Sequence, residues 1–213
     1  MQEEEKAFYE ELRGTGADIN AIYTKLGAEY DLLMASFGDM MSTTLTALLE
    51  AHFPEKDARP SLSIYEVGVG TGRLAEMLVK AGFTNIEGIE PCEALLKLAQ
   101  EKGNYKHLKA RFCGTGDLEE ERKGAFDIAA GCGVFAKNHI PASGFQELLD
   151  SLKNGGVVVF PVREDEWTGL GYKEKAEALE KEGKWKLLQR EVKANWVKSE
   201  VQLKYIYSLY QKL

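Results

Sequence analysis

The stretch Ile64-Tyr65-Glu66-Val67-Gly68-Val69-Gly70-Thr71-Gly72-Arg73-Leu74 restricts the fold of this chain more than any other. An apolar run ends in an acid, three alternate glycines follow, and a helical pattern begins at once. A parallel strand, a tight turn and a helix satisfy that order. The strand carries Glu66 to the carboxyl edge of a sheet, and the glycines let the backbone turn and approach a ligand without Cβ atoms in the way. The helix opening near Thr71 presents unpaired N–H groups and the positive end of its dipole. The same glycines suit a turn in any α/β protein, but strand, acid and helix in register favour a nucleoside-type site.

The rest of the chain repeats the alternation. Asn85 to Ile89 reads as a second strand delivering Glu90-Pro91, and Cys92 to Lys102 as a helix closed by Gly103. Leu108 to Phe112, Phe126 to Gly131 and the continuous apolar run Val157 to Phe160 supply three more strands, and Leu74–Lys80 and Phe145–Leu152 two more helices. Trp185–Trp196 and Glu200–Tyr210 are strand-like and separated only by Val197-Lys198-Ser199, so they pair antiparallel. Before the first strand, Asp18–Leu33 and Met40–Phe53 are helical, the former interrupted only by Gly27. The expectation is an α/β fold with a doubly wound, mostly parallel seven-stranded sheet, a C-terminal hairpin and N-terminal cap helices. Its boundaries within one domain over 1–213 are a cap at 1–56, a binding core at 57–161, an insertion at 162–184 and the hairpin at 185–213.

Ligands of open α/β sheets lie beyond the carboxyl ends of the strands. That rule selects Glu66, Gly68, Gly70 and Gly72 after the first strand, and Glu90 with Pro91 after the second. Glu90 follows Gly72 by 18 residues, where an acid that binds ribose hydroxyls is expected. The third strand offers Phe112, Cys113 and Gly114, and the fourth ends in Gly131-Cys132-Gly133. The three cysteines, Cys92, Cys113 and Cys132, each fall just after a strand, yet no C-x-x-C or histidine pairing supports a metal.

The spacing acid-x-G-x-G-x-G resembles motif I of the class I S-adenosylmethionine-dependent methyltransferases. A dinucleotide fold would place its third glycine one residue later, where Arg73 stands. A carboxylate beside the loop also attracts a sulfonium or ammonium but repels a pyrophosphate, which counts against a nicotinamide-dependent reductase. The segments Phe126-Asp127-Ile128, Gly133-Val134-Phe135 and His139-Ile140-Pro141 are similar to the methyltransferase-like 27 group of the Williams–Beuren region. So are Leu148–Gly156, Tyr172-Lys173-Glu174 and Gly183-Lys184-Trp185. Upstream, Ile22-Tyr23 and Ala28-Glu29-Tyr30-Asp31 resemble that group's segment before motif I.

The resemblance implies S-adenosyl-L-methionine as cofactor and methyl transfer to a small-molecule or protein acceptor that the residues do not name. Tyr23 and Tyr30, seven apart, are expected on one helical face, where their rings would stabilise a sulfonium. His139 is the candidate base for an acceptor that must lose a proton. Where the group carries Thr-His-Gly-His, this chain has Ala136-Lys137-Asn138-His139, so a first histidine is missing and a degenerate protein that only binds the cofactor stays open. Trp167, Tyr172 and the insertion are expected to wall the acceptor pocket. A net charge of −7 without any basic block does not indicate a nucleic-acid groove, and no apolar run is long enough to span a membrane. An acidic N-terminus and an odd cysteine count suit a reduced, cytoplasmic protein, with a nuclear location also compatible.

Overall fold

In the computed structural model, residues 10–12, 14–27, 29–36, 40–195 and 203–213 are described. Seven strands form one sheet: β1 Ser63–Val67, β2 Asn85–Ile89, β3 His107–Lys109, β4 Phe126–Ala130, β5 Leu152–Arg163, β6 Trp185–Asn195 and β7 Leu203–Lys212. Their order is β3-β2-β1-β4-β5-β7-β6. The first five pair in parallel, while β7 inserts antiparallel between β5 and β6. Chain order reverses between β1 and β4, which puts a crevice at the carboxyl end of β1.

Alternating side chains divide the interior into two apolar layers. Ile64, Ile128, Val157 and Val159 face α3 (Met40–His52) and α4 (Arg73–Lys80), where Leu45, Leu49, Leu74 and Leu78 are buried. Tyr65, Ala129, Val158 and Phe160 face the opposite layer, against α6 (Gly144–Ser151) and the pair α7 (Glu164–Gly169) and α8 (Tyr172–Lys181). Period-two alternation with apolar residues on both faces is what a covered parallel sheet requires. Aromatic rings dominate this second layer: Trp185 stacks on Tyr210 with centroids 4.1 Å apart and donates its indole N–H to Ala176 O at 3.0 Å.

A third, small apolar cluster belongs to the cap. Leu12 and Ile22 are buried there with Ile19, Tyr23, Leu26 and Tyr30 around them, on α1 (Ile19–Leu26) and α2 (Glu29–Ser36). The helical stretch expected over 18–33 with an interruption at Gly27 is two separate helices, the first ending at Gly27, whose N–H returns to Tyr23 O. Of the described N-terminal helices, α3 packs on β5 and β7, whereas α1 and α2 lie at the carboxyl edge.

Three other expectations need correction. Strand β3 is three residues long and stops before Arg111 and Phe112, which belong to the following loop, Phe112 remaining exposed. Strand β5 begins at Leu152, since Lys153–Gly156 continue the extended chain with an irregular register to β4. In the insertion, Trp167 and Tyr172 are packed into the aromatic layer rather than along a pocket. The turn at 197–199, Trp196 and Glu200–Gln202 lie outside the described residues, as do residues 1–9.

Candidate active site at the carboxyl edge of the sheet

Glu66 ends the apolar part of β1 and is carried inward by it, 1% exposed. Its Oε2 accepts the hydroxyl of Tyr105 at 2.9 Å beneath the glycine turn. Burial, reinforced by the neighbouring Glu90, pushes its carboxyl up to about 8 against the opposing effect of that hydrogen bond. At neutral pH it is mainly protonated. The attraction for a cation expected of this acid is therefore weakened by desolvation, and Glu66 does not line the cavity.

Glu90, leaving β2, has the opposite placement. Its two carboxylate oxygens accept the N–H of Gly70 and of Cys92, each at 2.9 Å, so one side chain ties the glycine turn to the start of α5 (Glu93–Lys102). Burial raises its pKa although both N–H groups favour the charged form. The residue also borders the cavity, and each of its oxygens keeps a lone pair beyond the one bonded to the backbone.

The glycines divide their work. At Gly68 φ is +63° and a Cβ would collide with Val134 Cγ1; at Gly131 a Cβ would lie 2.8 Å from Val134 Cγ2. Both positions thus form a notch for Val134, which seats the loop after β4. Gly70, at φ +56°, has nothing nearer a built Cβ than Tyr30 Cε1 at 3.9 Å, so a side chain there would enter the cavity. Gly72 packs against Tyr105 and Ala99, away from the opening.

The resulting cavity, about 240 Å³, is walled by three layers. The sheet edge gives Gly68, Gly70, Glu90 and Pro91, with Phe112 and Cys113 beyond β3. The loop after β4 gives Cys132, Gly133, Val134, Asn138, His139 and Ile140. The cap gives residues 17–20, Tyr23 and Tyr30. Tyr23 and Tyr30 meet edge to face at 5.5 Å, although on separate helices, so their proximity comes from the break between α1 and α2 rather than a shared face. Of the other expected positions, Gly114 and Gly131 stand behind the wall: Gly114 N–H is held by Glu147 Oε2 at 2.8 Å.

Polar contacts anchor the cap. Asp31 accepts the Thr71 hydroxyl and the Lys102 ammonium, the latter at 2.8 Å. Arg73 donates to Asp31 O at 3.0 Å. Asn138 donates to Leu12 O and Gly14 O, at 2.8 and 3.0 Å. The Tyr23 hydroxyl and His139 Nε2 are 2.8 Å apart. Arg111 borders the cavity, with Asp117, Tyr65 and Glu147 about its guanidinium. Sequence patterns assign no role to Asp31, Arg111, Asn138 or Glu147. Apart from Arg111 with Asp117, their contacts join residues tens of positions apart, for which spacing gives no signal; only Asp31 falls within a segment that the family resemblance marks. Among the described residues no cluster of three His, Cys, Asp or Glu could hold a metal, and no helix is long and apolar enough to cross a membrane.

A mostly parallel seven-stranded sheet with an antiparallel β7, a glycine turn after β1 and an acid after β2 defines the class I methyltransferase fold. Residues 65–160 match the family described as methyltransferase domain. Methyltransferase-like protein 27 of Homo sapiens is 32% identical over 129 residues, which is 59% of this chain and 51% of that protein. A protein-L-isoaspartate O-methyltransferase of Cytophaga hutchinsonii is 32% identical over 105 residues, 48% of this chain and 44% of that one. The chain thus spans about half the length of the curated relatives it matches. Among solved structures, magnesium protoporphyrin IX methyltransferase of Synechocystis PCC 6803 with bound S-adenosylmethionine superposes with a TM-score of 0.63 at 14% identity, over 97% of this chain and 90% of that one. The chain thus shares the fold of solved methyltransferases, matches a methyltransferase domain over residues 65–160, and is similar in sequence to methyltransferase-like protein 27.

Proposed function

We propose that this chain is an S-adenosylmethionine-dependent methyltransferase acting in the cytoplasm. The observation that carries the reading is the clasp made by Glu90, which fixes the Gly70 turn and leaves a cavity at the chain-order reversal where a Cβ at residue 70 would intrude. Such a cradle fits a nucleoside with an amino-acid tail. Glu90 would hold the ribose hydroxyls, Pro91 and Phe112 would flank the base beside Cys113, and the backbone of Gly68 and Gly70 would receive the tail. Tyr23 and Tyr30 would turn their rings toward the sulfonium, an attraction worth about 0.5–2 kcal/mol. Glu66, Gly72, Gly114 and Gly131 would act indirectly, by shaping the loops that carry these groups.

When bound, the cofactor supplies an activated methyl group, and the protein's part is to align an acceptor with it and exclude water. The closed cap serves both purposes. Titration calorimetry with S-adenosylhomocysteine, S-adenosylmethionine and NAD tests the reading. Micromolar binding of the first two, weakened by Glu90→Ala, is expected; silence with both, or binding of NAD instead, refutes it.

A further inference from the structure

The protonation of His139 can be worked out from its neighbours. Nδ1 lies 2.9 Å from Lys137 O, and a carbonyl oxygen only accepts, so Nδ1 carries a proton. In the neutral ring Nε2 is then the acceptor for the Tyr23 hydroxyl at 2.8 Å. The imidazole therefore does not meet an acceptor molecule directly through Nε2; the phenol oxygen stands in front of it, on the cavity wall. The pair is held by a strained neighbour. Asn138, at φ +65°, is the one described non-glycine residue with positive φ, and its amide grips the backbone of Leu12 and Gly14. Tyr23 comes from α1 and His139 from the loop after β4, so the packing of the cap on that loop is what brings the pair together.

The charges of the wall point the same way. Asp18 places a carboxylate there, with Oδ1 accepting from Ala21 N–H. The single described cation of the wall, Arg111, already has Asp117 and Glu147 on its guanidinium. An acid entering the cavity meets the carboxylates of Asp18 and Glu90, and the one described guanidinium there is already paired with two carboxylates, although its buried Nε has no partner; an ammonium meets Asp18 and Glu90 as counter-charges.

We propose that the acceptor is a small protonated amine and that Tyr23, backed by His139, removes its proton; this rests on the methyl-transfer reading above. An ammonium has no lone pair, so it cannot attack a methyl group until it is deprotonated. The amine N–H bond breaks with its electron pair left on nitrogen, and the proton passes to the Tyr23 oxygen. The phenol proton moves to His139 Nε2, giving an imidazolium whose Nδ1–H remains on Lys137 O. Tyr23 is the catalytic residue and His139 the base behind it. The cap across the cavity restricts the acceptor to a small molecule.

The test incubates the full chain and S-adenosylmethionine with matched panels of small aliphatic and arylalkyl amines, alcohols and carboxylic acids, reading methylated product by mass spectrometry. Methylation confined to amines is expected. For the amine turned over, Tyr23→Phe and His139→Gln should each lower kcat at pH 7 by about 10²-fold or more. That deficit should shrink by at least about tenfold toward pH 10, where the neutral fraction of an alkylamine is hundreds of times that at pH 7, a change that a merely structural role would not produce. In the S-adenosylhomocysteine complex, ¹⁵N NMR should show His139 protonated at Nδ1, with the Nε2 signal moved by Tyr23→Phe. Cofactor binding together with methylation of only alcohols or acids, of no amine, or with a pH-independent deficit overturns the proposal while leaving the methyl-transfer reading intact. Failure of the wild-type chain to bind S-adenosylhomocysteine overturns both.

Discussion

Glu66→Gln should make the protein less sensitive to alkali, because the motif acid is a buried group that resists ionisation. In the folded chain its pKa is about 8, against an ordinary value of 4.5, with burial as the main cause. A raised carboxyl pKa means the folded state binds the proton more tightly, so the contribution to stability is complete below about pH 4.5 and is lost as pH rises toward 8. Each tenfold difference in proton affinity between the folded and unfolded chain corresponds to about 1.4 kcal/mol. Between pH 5 and 9 the wild type should therefore lose about 4 kcal/mol through this group, most of it before pH 8. Glutamine keeps an oxygen for the Tyr105 hydroxyl and has no proton to lose. Tyr105 itself is pushed well above its ordinary value by burial and by Glu66, so it stays protonated across this window. Glu90 and the surface groups titrate in both proteins and cancel in the difference. Urea unfolding at five pH values, with wild type and variant side by side, reads the effect directly. The two curves should converge near pH 5 and diverge by about 4 kcal/mol at pH 9, the variant being more stable. Parallel curves would refute the argument, and would mean that Glu66 is ionised and solvated in the folded chain.

Three further outcomes follow from contacts already described. Glu90→Gln leaves one oxygen for two backbone N–H groups, so unfolding free energy should fall by about 1–3 kcal/mol and S-adenosylhomocysteine affinity should fall with it, as calorimetry would show. Gly68→Ala combines left-handed strain with overlap on Val134 and should cost about 2–4 kcal/mol in denaturant unfolding; Val134→Ala should restore the steric part but not the backbone part. Trp185→Ala removes a ring stacked on Tyr210 and a buried indole hydrogen bond, and should lower stability by about 3–5 kcal/mol without altering the cavity wall.

The sheet is legible in the sequence because its signals are local. Alternation at Ile64-Tyr65 and the unbroken Val157–Phe160 run encode two covered faces within a few residues, and the Gly68–Gly72 turn marks where the first strand ends. The site is legible where topology brings strand ends together, as at Glu90, Pro91 and Cys113. What spacing does not disclose is depth. Glu66 and Glu90 look alike as acids at strand ends, yet one is sealed under Tyr105 and the other clasps two loops at the cavity edge. Trp167 and Tyr172 mislead for the same reason: aromatic residues in an insertion suit a pocket wall or an interior equally, and here Phe160 and Phe145 complete the interior. The shortness of β3 is hidden because alternation in Leu108–Phe112 persists beyond the point where hydrogen bonding to β2 stops.

The cap's apolar cluster is separate from the two layers that flank the sheet, and the bonds named between cap and core are polar. Substitutions inside α1 and α2 therefore leave the packing of the sheet untouched, provided that Tyr23 and Asp31 still reach their partners. On the methyl-transfer reading proposed above, the side of the cavity assigned to the acceptor can diverge, or be exchanged for another cap by grafting, while the half assigned to the nucleoside keeps its shape. A fold arranged in this way can acquire new acceptors by altering two short helices ahead of its first strand.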